Sequence, residues 1–203
     1  MELKSFISSA TFKKIRKRFG DPRAVDAIYI RAMQLTNNNT AIALLLSTFA
    51  TFDHRLVGLK VPIFELFFPL TDESEEEYHR RVRNLPSRLY SDTPSDRQGD
   101  HDKLQHFFGS TFLTFTFESP QGAERIGDFI EEGEEAFIVG GVRDDRDKRA
   151  NRQGRRFALA LLEDNHRLPS EFLLLKSSQS QHTDIRQIDS SRETDVSCCH
   201  GGW

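Results

Sequence analysis

The spacing of apolar residues along the first part of the chain predicts helices. Residues 1–20 place one apolar side among many basic residues, which is the pattern of an amphipathic helix. Gly20, Asp21 and Pro22 then mark a break and a new start, with Asp21 as the expected N-cap and Pro22 as the first helical residue. This second helix should run to Leu35. Its inward positions should be Val25, Ile28, Tyr29 and Ala32.

Three more helices are predicted between residues 40 and 117. Asn39 or Thr40 can cap a helix over 40–52 that is apolar nearly all round, as expected of a core helix. Residues 71–85 have an acidic first turn and a basic end, an order that complements the helix dipole and is typical of a solvated helix. A helix rich in Phe should follow over 102–117.

The second half of the chain predicts two further helices, over 123–138 and 147–164, and then a polar tail. Residues 177–203 are rich in Ser, Gln, Thr and Asp, and this composition is typical of disorder. We therefore predict a mainly α-helical fold, a compact bundle-like single domain over residues 22–176. A basic amphipathic arm, residues 1–21, should precede it.

Residues 57–70 are compatible with three structures. They contain two prolines, a glycine and a dense apolar run at 63–68. They could form a pair of strands, a loop buried by its Phe rings, or a surface that enters lipid. This Phe-rich segment would then be an interaction surface, either for lipid or for a protein partner.

Composition and charge narrow the class of protein. Phe has no polar group, so the 17 Phe, against 3 Tyr and 1 Trp, should be buried in a core or pressed against a partner. A hydrophobic share of 37% in 203 residues is low but sufficient for a core. The net charge of -3 argues against a nucleic-acid partner, which would select a strongly basic face.

The location is expected to be cytoplasmic, or peripheral to the membrane on its cytoplasmic side. The longest apolar stretch, 41–52, is too short to span a bilayer, and no secretory signal is recognisable. The two cysteines, Cys198 and Cys199, are adjacent and form no disulfide framework, which favours a reducing compartment. With His200 they could bind a soft metal, although an incidental tail sequence is the simpler interpretation.

The basic residues of segment 1–20 suit an anionic membrane surface or an acidic partner. In the alternative interpretation, the apolar side of this segment packs on the domain and the charges keep the protein soluble. The basic residues are Lys13, Lys14, Arg16, Lys17 and Arg18, and the apolar side is Phe6, Phe12, Ile15 and Phe19.

Three short patterns could carry chemistry, and the first is Asp102-Lys103-Leu104-Gln105-His106. Asp102 and His106 are four residues apart and therefore share a helix face, where a carboxylate can orient an imidazole and raise its basicity. Alternatively, Asp102 caps the helix and His106 is half-buried beside another partner.

The second pattern is Glu131-Glu132-Gly133-Glu134-Glu135. Glu131 can pair with Glu134 or Glu135 on one helix face, and clustered carboxylates need a cation or a shared proton to relieve their repulsion. They could ligate a divalent metal or serve as acid and base. A solvated acidic face is the alternative.

The third pattern places Asp147, Asn151 and Gly154 on one stripe of a helix. Gly154 would allow a second helix to approach closely, with Asp147 and Asn151 facing it. Asp147 could instead cap its own helix.

In this order, the three patterns resemble the VanZ-like membrane proteins and the YfiM-like lipoproteins. The resemblance covers residues 102–160 and implies a small helical unit with a shared polar cluster. Membrane insertion is not implied for this chain, because many arginines crowd the third pattern and no lipoprotein cysteine lies near the N-terminus. The cluster so implied is Asp102, Lys103, His106, Glu131, Glu134 or Glu135, Asp147, Asn151 and Gly154.

These observations favour a peripheral membrane or envelope-associated helical protein whose buried polar cluster is structural or binds a ligand. The alternatives are a metal-dependent hydrolase that uses His106 and the carboxylates with a divalent cation, and an assembly subunit. No Ser-His-Asp order, phosphate loop or zinc-ligand spacing identifies a catalytic residue.

Overall fold

The computed structural model describes residues 2–60, 65–69, 71–96, 99–117 and 145–173. The predicted helix at 123–138, with Glu131, Glu134 and Glu135, lies outside these residues, and so does the predicted tail at 177–203 with Cys198 and Cys199.

The mainly α-helical fold is confirmed. The helices pack against one another, and a two-stranded antiparallel sheet lies between the fourth and fifth of them. The elements are α1 (Glu2–Ser8), α2 (Ala10–Phe19), α3 (Asp21–Leu35), α4 (Thr40–Ala50), β1 (Leu56–Lys60), β2 (Glu65–Pro69), α5 (Glu75–Asn84), α6 (His101–Phe117), α7 (Asp145–Glu163) and α8 (Ser170–Leu173). Within the described ranges, no helix is both long enough and apolar enough to cross a bilayer.

Within residues 57–70, the described stretches form the strand pair that was one of the three predicted structures. In the antiparallel register, Val57 pairs with Phe68, Gly58 with Phe67 and Lys60 with Glu65.

The first twenty residues form two helices where one was expected. The Ser9 side chain accepts a hydrogen bond from the backbone N–H of Phe12 and so caps α2. Leu3, Ile7 and Phe12 are buried in the same core as α3 and α4. The apolar side of this segment therefore packs on the helical body, and α1 and α2 do not form a free arm.

Helix α3 follows its predicted pattern, and Val25, Ile28, Tyr29 and Ala32 are all buried. The expected role of Asp21 as its N-cap is wrong, because Gly20 holds the cap position. The Asp21 carboxylate is taken by the backbone N–H groups of Ser87 and Arg88, each at 2.7 Å, and by the guanidinium of Arg16 at 2.6 Å. This carboxylate thus fixes the segment after α5 against the start of α3.

Helix α4 is capped by Asn39, whose side chain accepts from the N–H of Ile42. Because α4 is apolar nearly all round, it was expected to be a core helix. One of its faces is exposed instead. Ile42 is 53% exposed and Phe49 is 49% exposed.

Helix α5 begins with a capping box between Ser74 and Glu77, and its end charges complement the dipole as predicted. One of those charges is not solvated, since Arg81 has no exposed surface. Its guanidinium donates to both carboxylate oxygens of Glu73 at 2.8 Å, and to the carbonyls of Ala50 and Phe52 at 3.0 and 2.7 Å. Burial opposes the Glu73 charge, but the bonds from Arg81 and Thr71 hold the pKa of Glu73 below its usual value. Arg81 therefore ties α5 to the end of α4.

Candidate functional site

The candidate site lies where α6 meets α7, the most extensive helix pair in the described residues. A Cβ added at Gly154 would overlap the carbonyl oxygen of Phe107 and lie 3.1 Å from the Thr111 hydroxyl. The Phe107 and Phe157 rings stack beside this crossing, with centroids 5.7 Å apart. The glycine therefore sets the spacing of the helices that carry the polar residues.

Lys103 occupies the centre of the polar cluster. Its side chain is 1% exposed, and its ammonium lies 2.6 Å from an oxygen of Asp102 and 2.6 Å from an oxygen of Asp147. Both distances are typical of short, charge-assisted hydrogen bonds. The ammonium is thus an internal counter-ion between α6 and α7.

His106 approaches the same oxygen of Asp147. Its Nε2 is 3.4 Å from that oxygen, which makes a looser contact than the one from Lys103. The structure thus brings Asp102, Lys103, His106 and Asp147 together, and the same oxygen of Asp147 lies beside both Lys103 and His106.

Asn151 contacts a different residue, one helical turn further along α7. Its side-chain oxygen accepts from the Ser110 hydroxyl at 2.7 Å. The Thr111 hydroxyl donates to the backbone carbonyl of Gly154 at 3.1 Å. The stripe of Asp147, Asn151 and Gly154 therefore does face α6, and it meets three successive turns of that helix. The expectation that Asp147 caps its own helix is wrong, because α7 begins at Asp145.

The acidic residues Glu131, Glu134 and Glu135, which were predicted to join this cluster, lie outside the described residues. In the part of the chain that is described, no group of three or more His, Cys, Asp or Glu side chains is placed to hold a metal ion.

Sequence reasoning missed a second buried carboxylate beside the site. Asp100 has no exposed surface and accepts from the N–H of Leu89 at 3.0 Å and of Tyr90 at 3.3 Å. It also accepts from the Arg146 guanidinium, 3.0 Å away at the start of α7. Asp100 precedes α6 directly, so the available signal was an Asp after Gly99, a pattern typical of a turn.

The pairing of charges favours a structural role for the cluster, and one side of the cluster reaches solvent. Within the described part of the cluster, the ammonium of Lys103 lies between the carboxylates of Asp102 and Asp147. Asp102 and His106 are half-buried and reach solvent, whereas Lys103 and Asp147 are buried. A ligand could therefore approach the cluster from the side of Asp102 and His106.

Lowering the pH should destabilise the protein through His101. This residue is buried, and its Nε2 lies 3.2 Å from the carbonyl oxygen of Leu85. Burial lowers the pKa of the His101 imidazole below its ordinary value. The unfolded chain takes up this proton below about pH 6.5, before the folded chain does. Stability present above that pH is therefore lost as the pH falls, by at most about 1.4 kcal/mol per pH unit.

Urea denaturation across this pH range measures the effect. His101→Gln should flatten the dependence between about pH 5 and 7. The comparison variant is His79→Gln, which changes an exposed histidine of α5. An unchanged pH dependence in His101→Gln would show that His101 does not cause it.

No family model, curated protein or solved structure matches the chain. The resemblance to the VanZ-like and YfiM-like proteins therefore stays a prediction that rests on the motifs at residues 102–160.

Proposed function

We propose that this protein binds anionic membrane surfaces peripherally, through a basic face on α2. The observation that carries the proposal is the exposure of Lys13, Lys14, Lys17 and Arg18 on one helix of the folded body. In the described part of the chain, none of these four cations forms an ion pair with a carboxylate. Unpaired cations on a helix attract anionic lipid headgroups.

Arg16 does not belong to this basic face. Its guanidinium is held by Asp21 and also donates to the Ser87 hydroxyl at 2.9 Å. Four of the five basic residues named from the sequence can therefore contact an external surface.

Phe19 supplies the apolar contact next to the basic face. It is 57% exposed at the end of α2, and the Arg18 guanidinium lies 5.1 Å from its ring centre. Phe12 is buried and the ring of Phe6 packs against it, with centroids 5.3 Å apart. Shallow insertion into lipid therefore depends on Phe19 and not on the other two rings.

The buried polar cluster has a structural role in this proposal. Lys103 joins Asp102 on its own helix to Asp147 on α7, and the ammonium at the centre of this link is buried. Membrane contact through α2 leaves that cluster unchanged.

Neutralising the basic face should strongly weaken binding to anionic vesicles. Changing Lys13, Lys14, Lys17 and Arg18 to Gln should lower the affinity by roughly two to three orders of magnitude at low salt, because each cation contributes about 1 kcal/mol. Co-sedimentation with phosphatidylserine-containing vesicles, and with neutral phosphatidylcholine vesicles, measures this. Binding should also weaken at high salt.

The matched control removes four cations elsewhere, each half-buried or exposed and already close to an acidic residue. It changes Arg31, Arg80, Lys148 and Arg167 to Gln. Equal loss of binding in both variants would contradict the proposal, because it would show that binding depends on net charge and not on the basic face. Deleting residues 1–20 is not an equivalent test, because it would remove Leu3, Ile7 and Phe12 from the core.

A metal-dependent hydrolase is the second candidate, and the contact between His106 and Asp147 favours it. A carboxylate beside an imidazole can support general acid–base chemistry. The ammonium of Lys103 already lies between the two carboxylates, which weakens this candidate. Elemental analysis of the purified protein tests it, since a stoichiometric divalent ion would support the hydrolase.

A protein contact through residues 57–70 is the remaining proposal, that of an assembly subunit. The register of β1 and β2 favours it, because Val57 and Leu59 pair with Phe68 and Leu66. A two-stranded sheet is marginally stable alone and gains from a third strand or a packed surface. Sedimentation velocity tests self-association, which Phe68→Asp should then disrupt.

A further inference from the structure

The exposed side of α7 repeats the chemistry of the basic face. Arg152, Arg156 and Leu159 are spaced by four and three residues and so lie on one stripe of the helix. Leu159 is 38% exposed and Leu162, beside it, is 43% exposed. The opposite side of α7 is buried against α6 and α3, through Phe157 among others.

The two arginines of this stripe are available to an external anion. Both are exposed, and neither pairs with a carboxylate in the described ranges. By contrast, Arg149 on the same helix is held by both oxygens of Asp92 at 2.7 Å. Guanidinium groups bind phosphate through two parallel hydrogen bonds, which suits phospholipid headgroups.

We propose that Arg152, Arg156, Leu159 and Leu162, the α7 surface, form a second contact with anionic phospholipid. The proposal rests on the proposed function, because it gives the protein two lipid contacts in place of one. Single exposed leucines are common on protein surfaces. Here two of them continue a stripe of two arginines that pair with no carboxylate in the described residues. An apolar end beside basic residues is typical of helices that lie in the membrane interface. Exposed Glu163 ends the helix and opposes the attraction. Two cations against one carboxylate leave the surface positive.

Fluorescence of a single tryptophan can report each contact separately. Trp203 is the one tryptophan of the chain. Trp203→Phe combined with Leu159→Trp places a reporter on the α7 surface, and Trp203→Phe combined with Phe19→Trp places one on α2. Phosphatidylserine-containing vesicles should shift the emission of both reporters to shorter wavelength, and neutral vesicles should shift neither.

The two reporters separate failure of this inference from failure of the proposed function. A shift at Phe19→Trp without one at Leu159→Trp would overturn the α7 contact and leave the α2 contact in place. A shift at Leu159→Trp alone would support the α7 contact and overturn the one on α2. No shift at either position would overturn both.

Charge removal gives an independent measurement on the full chain. Arg152→Gln with Arg156→Gln should lower vesicle affinity by about 5-fold for each arginine at low salt. The matched control is Arg80→Gln with Arg167→Gln, whose cations already pair with Glu76 and Glu171. Equal affinities of the two double variants, both shown to be folded by circular dichroism, would overturn the proposal. Binding of an acidic peptide in place of vesicles would also overturn it, and would assign the surface to a protein partner.

Discussion

Replacing Lys103 with methionine should lower the free energy of unfolding by about 3–5 kcal/mol, the range found when one partner of a buried ion pair is removed. Methionine keeps much of the apolar stem, so the loss comes from the charge. The buried Asp147 carboxylate would then lose its 2.6 Å contact with the ammonium. Urea denaturation followed by far-ultraviolet circular dichroism measures the change.

A matched control and a second variant make this result specific. Lys148→Met removes an exposed pair with Asp145 and should cost less than about 1 kcal/mol. Adding Asp147→Asn to Lys103→Met should recover part of the stability, because it removes the charge left without its counter-ion. If Lys103→Met and Lys148→Met were equally mild, the Lys103 ammonium would not be the cation that holds α6 to α7.

Gly154→Ala should destabilise the protein by about 1–3 kcal/mol, the usual cost of overpacking a core. The new methyl group would overlap the backbone carbonyl of Phe107, which cannot move without shifting α6. The stacked rings of Phe107 and Phe157 would have to separate with it. Thermal and urea unfolding both measure the loss.

Gly109→Ala is the matched control on the facing helix. Its added Cβ would lie 3.7 Å from a methyl carbon of Thr48, which is an ordinary contact. This variant should stabilise the protein by about 0.5–1 kcal/mol, because alanine is the better helix former. Equal effects of the two substitutions would show that the crossing of α6 and α7 is not set by Gly154.

Several features followed directly from the order of residues. The four buried positions of α3, the Asn39 cap of α4 and the order of charges in α5 all depend on residues within one or two helical turns. Such local patterns report the side of a helix that turns inward and the residue at which it begins. The mainly helical fold follows from them.

The sequence also predicted part of the candidate site. The spacing of Asp147, Asn151 and Gly154 correctly predicted a stripe that faces another helix, because that inference needs only the helical period. Sequence reasoning paired Asp102 with His106 on one helix. In the structure, both approach the cluster, and the short contacts of Asp102 and Asp147 are with Lys103.

Tertiary structure alone decided which charges are buried. Lys103 and Asp147 are 44 positions apart, and Arg81 reaches carbonyl groups about 30 positions away. The neighbouring residues in the sequence suggest a solvated side chain for a lysine next to an aspartate, and equally for an arginine at the end of an acidic helix. Their burial follows from the close approach of α6 to α7 at Gly154 and of α5 to the end of α4.

The same reasoning applies to the first twenty residues and the surfaces proposed here. Their apolar and basic sides were visible in the sequence, but packing of Leu3, Ile7 and Phe12 on the core decided which rings remain outside. Phe19 is left exposed beside four exposed cations, none of which pairs with a carboxylate in the part of the chain that is described. The sequence therefore determined the helices and their amphipathic sides. The tertiary structure decided which side is left for a partner, because burial depends on the helices that arrive from distant parts of the chain.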